Sequence, residues 1–279
     1  MKVDLHLHTT ASDGMLAPDE LVRMASAHGF SLIAISDHDC MDGISAARRA
    51  GEALGVRVLS AVELSCGAHR EIHVLGYGVD PEHEALAAFC RLRRENRMQR
   101  AKEMCDRLTQ AGWPVDFGRV AQMARGVVGR PHVARSLVEA GHATSVKAAF
   151  ERFLSPGKVG YVPKEEVKVS HAISLIHQAG GAAVLAHPME LRMGEMALEA
   201  LVHEWKGQGL DGLEVYHPSA PNNHAAYLER LARREGLLVT GGSDFHGAAL
   251  RDSHIGEGLE RWRTVEEDAA ALLARIGIA

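Results

Sequence analysis

The amino-acid sequence predicts an α/β protein, a distorted (β/α) barrel of seven strands that carries an all-helical insertion domain. Three observations support this fold class. Short apolar runs alternate with amphipathic segments near the N-terminus, the alternation returns in the second half, and no strand pattern lies between. Such alternation is typical of a mainly parallel sheet or barrel. Residues 1–81 and 159–279 are therefore expected to form the barrel, and residues 82–158 the insertion.

The first four strands are predicted from short apolar runs. They cover Val3–Leu7, Leu32–Ser36, Val56–Val62 and Ile72–Tyr77. Amphipathic helices are expected between them at Pro18–His28 and Ile44–Leu54. Proline suits the first turn of a helix, and the glycines at 29 and 55 suit the positions after a last turn.

The middle of the chain has apolar residues at helical spacing only. Helices are predicted over about 82–110, 117–124, 131–140 and 145–154. Strands then return at Ala182–Ala186, Gly212–Tyr216 and Leu237–Thr240. Helices are expected beside them at Ser170–Ala179, Met196–Gln208 and Asn223–Glu235. The total of seven strands is the basis for the predicted barrel.

Composition narrows the class of protein. The chain has 279 residues, 46% of them hydrophobic, and a formal net charge of −5, which argues against a protein that coats nucleic acid. The charge is distributed unevenly along the chain. Residues 91–135 contain eleven Arg and Lys but only four Asp and Glu. Such a basic stretch favours an anionic ligand, although a solvated helix face would look the same.

The sequence also bears on location. No run approaches the ~18 apolar residues of a membrane span, and the N-terminus has no apolar signal segment. The four cysteines form no CxxC pair and no disulfide-dense pattern. We therefore expect a cytoplasmic enzyme with reduced cysteines, no membrane contact and no obligate protein partner.

Imidazole and carboxylate side chains occur at seven predicted strands. They are His6 and His8, Asp37 and His38, Glu63, His73, His187, Glu214 and His217, and Asp244 and His246. The carboxyl ends of parallel barrel strands meet on one face, where active sites are built. Nitrogen and oxygen donors without thiolates suit Mn, Zn or Fe, and carboxylates bridge ions readily. The sequence therefore predicts a cluster of divalent metal ions.

Several segments resemble, in order, the motifs of the PHP (polymerase and histidinol phosphatase) family. They are His6-Leu7-His8, Thr9–Gly14, Ser36–Asp39, Val62–Ser65, Ala186–Pro188 and Gly242–His246. The resemblance implies a distorted seven-stranded barrel with two or three metal ions. Asp13, the insertion, Gly129–Ala134 and Gly212–Pro218 are similar to one branch. That branch contains the 3′,5′-nucleoside bisphosphate phosphatases and an enzyme that trims short RNA from its 5′ end.

The resemblance also implies a set of metal ligands. One ion would take His6, His8, Glu63 and Asp244, a second would share Glu63 and add His73 and His187, and a third would use Asp13, His38 and His246. Relatives often have histidine where this chain has Asp13. The aspartate keeps a ligand but makes the third site more negative. Manganese is the expected metal, with zinc or iron as alternatives.

Phosphoester hydrolysis fits such a cluster. Cations neutralise the phosphate and lower the pKa of bound water from 15.7 toward ~7, so a metal-bridging hydroxide is the expected nucleophile. Asp37 and His217 are the candidates for protonating the leaving oxygen. For Asp37, orientation of a ligand histidine is an equal alternative.

The insertion is expected to bind the rest of the substrate. Arg97, Arg130, His132, Arg135 and Lys158 are the candidate residues, because guanidinium groups match phosphate oxygens. Most arginines of this stretch are expected to be exposed solubilising residues. Arg130 and Arg135 are the first choices, since they belong to or follow the branch motif.

The function expected from these observations is removal of the 3′-phosphate from nucleoside 3′,5′-bisphosphates, giving AMP from the adenosine compound. The alternative is a 5′-to-3′ exoribonuclease acting on short RNA. Histidinol phosphate phosphatase is less favoured, since the insertion implies a larger anionic ligand. A non-enzymatic accessory domain of a polymerase is disfavoured, because every motif position still carries a ligand residue.

Overall fold

The protein is described by a computed structural model that covers residues 1–67, 71–124, 126–247 and 254–278. Its seven strands are β1 Val3–Leu7, β2 Leu32–Ile35, β3 Arg57–Cys66, β4 Ile72–Tyr77, β5 Ala182–Leu185, β6 Gly212–Tyr216 and β7 Leu238–Gly241. No helix in these ranges has the length and apolar composition that crossing a bilayer would require.

Ten α-helices occur in the described ranges. They are α1 Pro18–Ala27, α2 Ile44–Leu54, α3 Glu84–Gln110, α4 Phe117–Ala124, α5 Arg130–Glu139, α6 Val146–Ala149, α7 Val169–Gln178, α8 Glu195–Gly207, α9 Asn222–Glu235 and α10 Val265–Arg275. A π-helical turn at Phe150–Leu154 follows α6, and a 3₁₀ turn at Pro188–Leu191 follows β5. Strands and helices therefore fall close to their predicted positions.

The strands form one sheet in the order β1 to β7. β1, β2 and β3 are parallel to one another, as are β5, β6 and β7, while β4 is antiparallel to both of its neighbours. A bridge between Leu7 and Phe245 joins the two edges, and His8 N donates to Phe245 O at 3.1 Å. The sheet is thus nearly closed, and the predicted seven-stranded barrel is confirmed.

The strands β3 and β4 differ from the prediction. β3 continues past Val62 to Cys66, because Glu63 pairs with Leu75 and Ser65 with His73 in the antiparallel ladder. Glu63 therefore lies within a strand and not at a strand exit. Since β4 runs backwards, its first residues lie beside the carboxyl ends of the other strands, and His73 still reaches their common face.

Helices α3 to α6 lie where the insertion was predicted, and residues 84–124 and 126–154 contain no strand. They enclose a hydrophobic cluster of their own, to which Met104 and Leu108 of α3 contribute. The first turns of α3 instead place Leu86 and Cys90 in the barrel core. α3 therefore connects the two cores, and the division into separate domains at residues 82 and 158 stays a prediction.

Candidate metal centre

β1 delivers the first two histidines. His6 and His8 are both buried and project to the same side as Asp4, as alternate residues of a strand do. The Asp4 carboxylate accepts hydrogen bonds from Ser243 N at 3.0 Å and from the Ser243 hydroxyl at 2.6 Å. This contact fixes the loop that carries Asp244 against the strand that carries the histidines.

The first group of side chains surrounds one point at the barrel mouth. His6 Nε2 and His8 Nε2 lie 3.5 and 3.4 Å from Glu63 Oε2, and 3.6 and 3.1 Å from Asp244 Oδ1. Ligands about 2.1 Å from a common ion are roughly 3.0–3.4 Å apart. His6 Nε2, His8 Nε2 and Glu63 Oε2 make no hydrogen bond of suitable geometry to a described residue, although all three are buried. Buried polar atoms without partners are costly, and a cation would satisfy them.

The second group uses the other oxygen of the same carboxylate. Glu63 Oε1 lies 2.8 Å from His73 Nδ1 and 3.0 Å from His187 Nε2, and the two nitrogens are 3.2 Å apart. A proton cannot satisfy all three contacts at once, whereas one cation between them can. Glu63 is therefore placed to be shared by two ions.

The third group is looser. Asp13 Oδ1 lies 3.3 Å from His246 Nε2, and Asp13 Oδ2 lies 3.9 Å from His38 Nε2. The Asp13 side chain is 25% exposed, unlike the carboxylates of the other groups. His38 also places Nδ1 2.8 Å from Glu63 Oε2, so it lies between this group and the first two.

The electrostatics of the cluster favour cation binding. Burial raises the pKa of Glu63, but the imidazoles of His38, His73 and His6 outweigh burial and hold this pKa well below its ordinary range. Burial, together with the nearby imidazole of His246, lowers the pKa of His8 to about 3. Burial acts on His6 and His38 in the same direction, but neighbouring carboxylates outweigh burial and raise the pKa of both rings, that of His38 to about 9. Metal binds ionised carboxylates and neutral imidazoles, so a cation held here would displace protons from these two rings. The residues present therefore fit two or three divalent cations.

The backbone around the cluster is unusual. Asp39, His187 and Asp244 have φ values of 46°, 28° and 51°, and among the described residues only one other non-glycine residue, Arg192, has positive φ. Such conformations are disfavoured for residues with a Cβ and concentrate at functional sites. In each case the turn directs a side chain or its neighbour toward the mouth of the barrel.

Glu214 was counted among the candidate residues at the predicted strands, but no role in the centre was assigned to it from the sequence. Its buried carboxylate lies 2.9 Å from His6 Nδ1 and accepts a hydrogen bond from His187 N at 2.7 Å. This arrangement turns the opposite nitrogen of His6, Nε2, toward Glu63. A carboxylate behind a ligand histidine fixes the ring and raises its basicity. The feature of the sequence that could have indicated this role is an acidic residue inside an otherwise apolar strand.

We expect Glu214→Gln to weaken metal binding by roughly 10–100-fold, because the carboxylate no longer orients His6. The measurement is metal content per chain after dialysis against a graded chelator series. Glu229→Gln is a matched control, since Glu229 accepts from Tyr216 Oη on the same strand but lies away from the cluster. Equal metal retention by both variants would show that Glu214 has no such role.

The two proposed proton donors differ in their surroundings. Asp37 accepts hydrogen bonds from Thr9 N at 2.8 Å, Thr9 Oγ1 at 2.7 Å and Ser12 Oγ at 2.5 Å, and burial raises its pKa. These contacts hold the loop that leads to Asp13 and involve no ligand histidine. They support a positioning role, and proton donation by Asp37 stays a prediction.

His217 lies at the edge of the cluster. Its Nδ1 accepts a hydrogen bond from Ser219 N at 3.0 Å, so a neutral ring carries its proton on Nε2. Nε2 is buried, has no hydrogen-bond partner among the described residues and lies 3.7 Å from Asp244 Oδ2. A proton on this atom would face the first group of ligands, and proton donation by His217 stays a prediction.

A cavity of about 570 Å³ extends from the cluster toward the helical segment. Its lining includes the candidate ligands Asp13, His38, Glu63, His73, His187 and Asp244. The same cavity is lined by Glu71, Arg93, Arg97, Arg100, Arg130 and Lys164, among others. The cavity therefore joins the histidine–carboxylate cluster to a wall rich in arginine and lysine.

The structure brings only part of the predicted substrate set to this cavity. Arg97 and Arg130 line it, whereas His132, Arg135 and Lys158 do not. His132 is buried, and its Nδ1 accepts from Gly129 N at 3.0 Å at the start of its own helix. Lys158 is exposed on the surface. The sequence singled out α5 as a candidate substrate-binding segment. It could not determine which side chains of that helix face the cavity.

Arg97 is also tied to the barrel. Its Nε donates to Asp39 Oδ2 at 3.0 Å, and its Nη2 donates to Ser65 Oγ at 2.6 Å. Arg93 and Arg100 are lining residues that were not singled out from the sequence. With Arg97 they stand at i, i+4 and i+7 on one face of α3, which is the spacing that would have revealed them.

A seven-stranded barrel with buried histidines and carboxylates at its mouth defines a metal-dependent hydrolase. The family model described as "PHP domain" matches residues 4–179 of this chain. A 5′-3′ exoribonuclease of Haemophilus influenzae is 37% identical over 88% of this chain and 90% of its own length. A 3′,5′-nucleoside bisphosphate phosphatase of Chromobacterium violaceum is 36% identical over 91% of this chain and 90% of its own length.

A solved structure agrees with these relatives. A Bifidobacterium adolescentis protein, described as a candidate metal-dependent phosphoesterase, is 33% identical, with a TM-score of 0.84 over 99% of this chain and 96% of its own. The chain belongs to the PHP family and is a metal-dependent phosphoesterase. The predicted family is thereby confirmed.

Proposed function

We propose that this enzyme removes the 3′-phosphate from nucleoside 3′,5′-bisphosphates, so that adenosine 3′,5′-bisphosphate gives AMP and phosphate. The single observation that carries the proposal is the cavity, which is lined both by the histidine–carboxylate cluster and by a wall of arginines. A substrate with two phosphates matches a cavity that offers both kinds of anion site. The relative named for this activity supports the assignment.

The ligands proposed for the ions are those of the three groups described above. When bound, divalent ions neutralise a phosphate and lower the pKa of coordinated water. Glu214 and Asp4 would hold the ligand side chains in place. His217 Nε2 is the proposed proton donor to the leaving oxygen. Arg130 and Arg97 would bind the phosphate that is not cleaved.

Manganese is the proposed metal, with two or three ions per chain. Oxygen and imidazole donors without thiolates suit manganese, and also iron and zinc. Metal analysis of the purified protein would decide among them. We further propose that the enzyme works in the cytoplasm, which agrees with four buried cysteines that form no disulfide.

A second candidate function is 5′-to-3′ shortening of small RNA. The observation that favours it is the row formed by Arg93, Arg97 and Arg100, which extends roughly 10 Å along α3 at 1.5 Å per residue. A row of that length can face more than one backbone phosphate. The Haemophilus influenzae relative is named for such an activity. The two functions are compatible if one cavity accepts substrates of different length.

The proposed polarity predicts which product forms. Incubation of adenosine 3′,5′-bisphosphate with the manganese-loaded enzyme should yield 5′-AMP and inorganic phosphate, identified by chromatography. The reason is that the cluster is expected to bind the reacting phosphate, while the arginine wall binds the other. Rates on a short 5′-phosphorylated oligoribonucleotide, measured in parallel, compare the two candidate functions.

Other outcomes would change the assignment. Accumulation of 3′-AMP would reverse the polarity. Clean shortening of oligoribonucleotides without phosphate release from the bisphosphate would favour the nuclease.

A further inference from the structure

Glu71 lines the arginine-rich wall of the cavity, just before β4. Its carboxylate contacts the Arg130 guanidinium at the start of α5, and both residues line the cavity. The Glu71 side chain is 52% exposed and that of Arg130 is 21% exposed. An acidic side chain thus occupies the place where an anionic ligand would meet Arg130.

The surroundings of Glu71 are crowded with positive charge. Arg97, Arg100 and Lys164 line the same part of the cavity. Burial, with the charges of Arg130 and Arg97, lowers the pKa of Arg100 to about 10. Burial also lowers the pKa of Lys164 to about 8, with Glu71 opposing that change and Arg97 adding to it. The charged forms of Arg100 and Lys164 are therefore destabilised by burial and by the neighbouring cations.

Two of these cations, Arg100 and Lys164, have partners that do not neutralise them. Arg100 Nε donates to Val162 O at 2.8 Å, and Lys164 Nζ donates to Cys66 O at 2.7 Å. A carbonyl oxygen carries no full charge. Glu71, in contrast, contacts the Arg130 guanidinium directly. Its carboxylate therefore balances part of the positive charge of this wall.

Away from the histidine–carboxylate cluster, two other acidic residues line the cavity but have different partners. Glu103 accepts from Arg107 Nη2 at 2.6 Å, one turn along α3. Glu165 accepts from Asn96 Nδ2 at 2.8 Å and lies 3.8 Å from Arg93. Neither contacts Arg130, so Glu71 is the acidic lining residue placed to compete for it.

We propose that Glu71 is an internal competitor for the second phosphate of the substrate. Its carboxylate pairs with Arg130 in the free enzyme, the second phosphate displaces it, and the pair re-forms when the product leaves. The proposal rests on the proposed function in one respect, which is that the second phosphate binds at Arg130. The nucleoside monophosphate product keeps this phosphate, so the competition weakens product binding and favours release.

The test is a calorimetric titration of the metal-loaded protein with 5′-AMP and with adenosine. Glu71→Gln should lower the Kd for 5′-AMP by roughly fivefold, as expected for loss of a partly exposed ion pair that competes with the ligand. The Kd for adenosine should not change, because adenosine leaves the Glu71–Arg130 pair intact. Glu71→Ala is a second variant that removes the carboxylate without leaving an amide.

Two controls separate competition from a general charge effect. Glu103→Gln removes one negative charge from the same cavity but leaves Arg130 paired, so 5′-AMP affinity should change far less. In an Arg130→Gln background, Glu71→Gln should have no further effect on 5′-AMP affinity. Such non-additivity is expected when two residues act through one contact.

The proposal is wrong if both Glu71 variants bind 5′-AMP no more tightly than the unsubstituted protein. It is also wrong if Glu103→Gln has an equal effect, or if the Glu71→Gln effect persists without Arg130. The titration requires no turnover. An enzyme that fails to hydrolyse the bisphosphate would overturn the proposed function. The role of Glu71 would still be decided by the 5′-AMP affinities alone.

Discussion

Glu63→Gln is expected to lower phosphoester hydrolysis on the order of 10³-fold or more while the barrel stays folded. Each Glu63 oxygen faces a different group of ligands, His6 and His8 on one side and His73 and His187 on the other. Glutamine has a single acceptor oxygen, and its amide nitrogen would face imidazole nitrogens. The substitution should therefore empty at least one proposed ion position without leaving a cavity in the core.

The measurement combines steady-state rates, metal content per chain and circular dichroism. Glu190→Gln is the matched control, since Glu190 also lines the cavity but lies 3.6 Å from the outer nitrogen of His187 and is half exposed. We expect that variant to retain its metals. Full turnover together with full metal content in Glu63→Gln would contradict the shared-ligand assignment.

Arg130→Ala is expected to raise KM for a nucleoside bisphosphate by roughly 10–100-fold, the range for a lost hydrogen bond to a charged group. A generic monophosphate ester should be affected far less, because it would be bound mainly at the cluster. The reason is that Arg130 lines the cavity but belongs to none of the three ligand groups. Initial rates over a range of both substrates provide the comparison.

Arg135→Ala is the internal control for this prediction. Arg135 was an equal candidate from the sequence, but it does not line the cavity. A small effect at Arg135 beside a large one at Arg130 would agree with the structure. Equal losses on bisphosphate and monophosphate substrates in Arg130→Ala would mean that Arg130 acts at the reacting phosphate, and its assignment would have to change.

The barrel strands could be predicted because apolar runs and turn residues mark them. The direction of β4 could not, because the side-chain pattern of a strand is the same whichever way it pairs. The length of β3 was underestimated for a related reason. Glu63 and Ser65 are polar yet buried, so the apolar run ends before the strand does.

The candidate site shows a similar division. Histidines and carboxylates near strand ends could be predicted to converge, since the topology collects those ends on one face. The substrate-contacting residues were predicted less well. Which side chains of a helix face the cavity depends on the rotation of the helix about its own axis. His132 turns toward Gly129, while Arg93 and Arg100 turn into the cavity. Glu214 was overlooked as a positioning residue because its partners, His6 and His187, lie far away in sequence.

The reversed strand β4 has a consequence for helix length. β4 ends at the side of the barrel away from the mouth, so α3 has to return the chain to the mouth. Its 27 residues span about 40 Å. A one-residue deletion between Cys90 and Arg97 would turn the arginine face by about 100° relative to the barrel. Adding seven residues would nearly restore the rotation but lift the arginines about 10 Å from the cluster. Both the rotation and the rise of α3 are thus constrained, so changes in chain length should be tolerated in the loops after α3 and not within its first half.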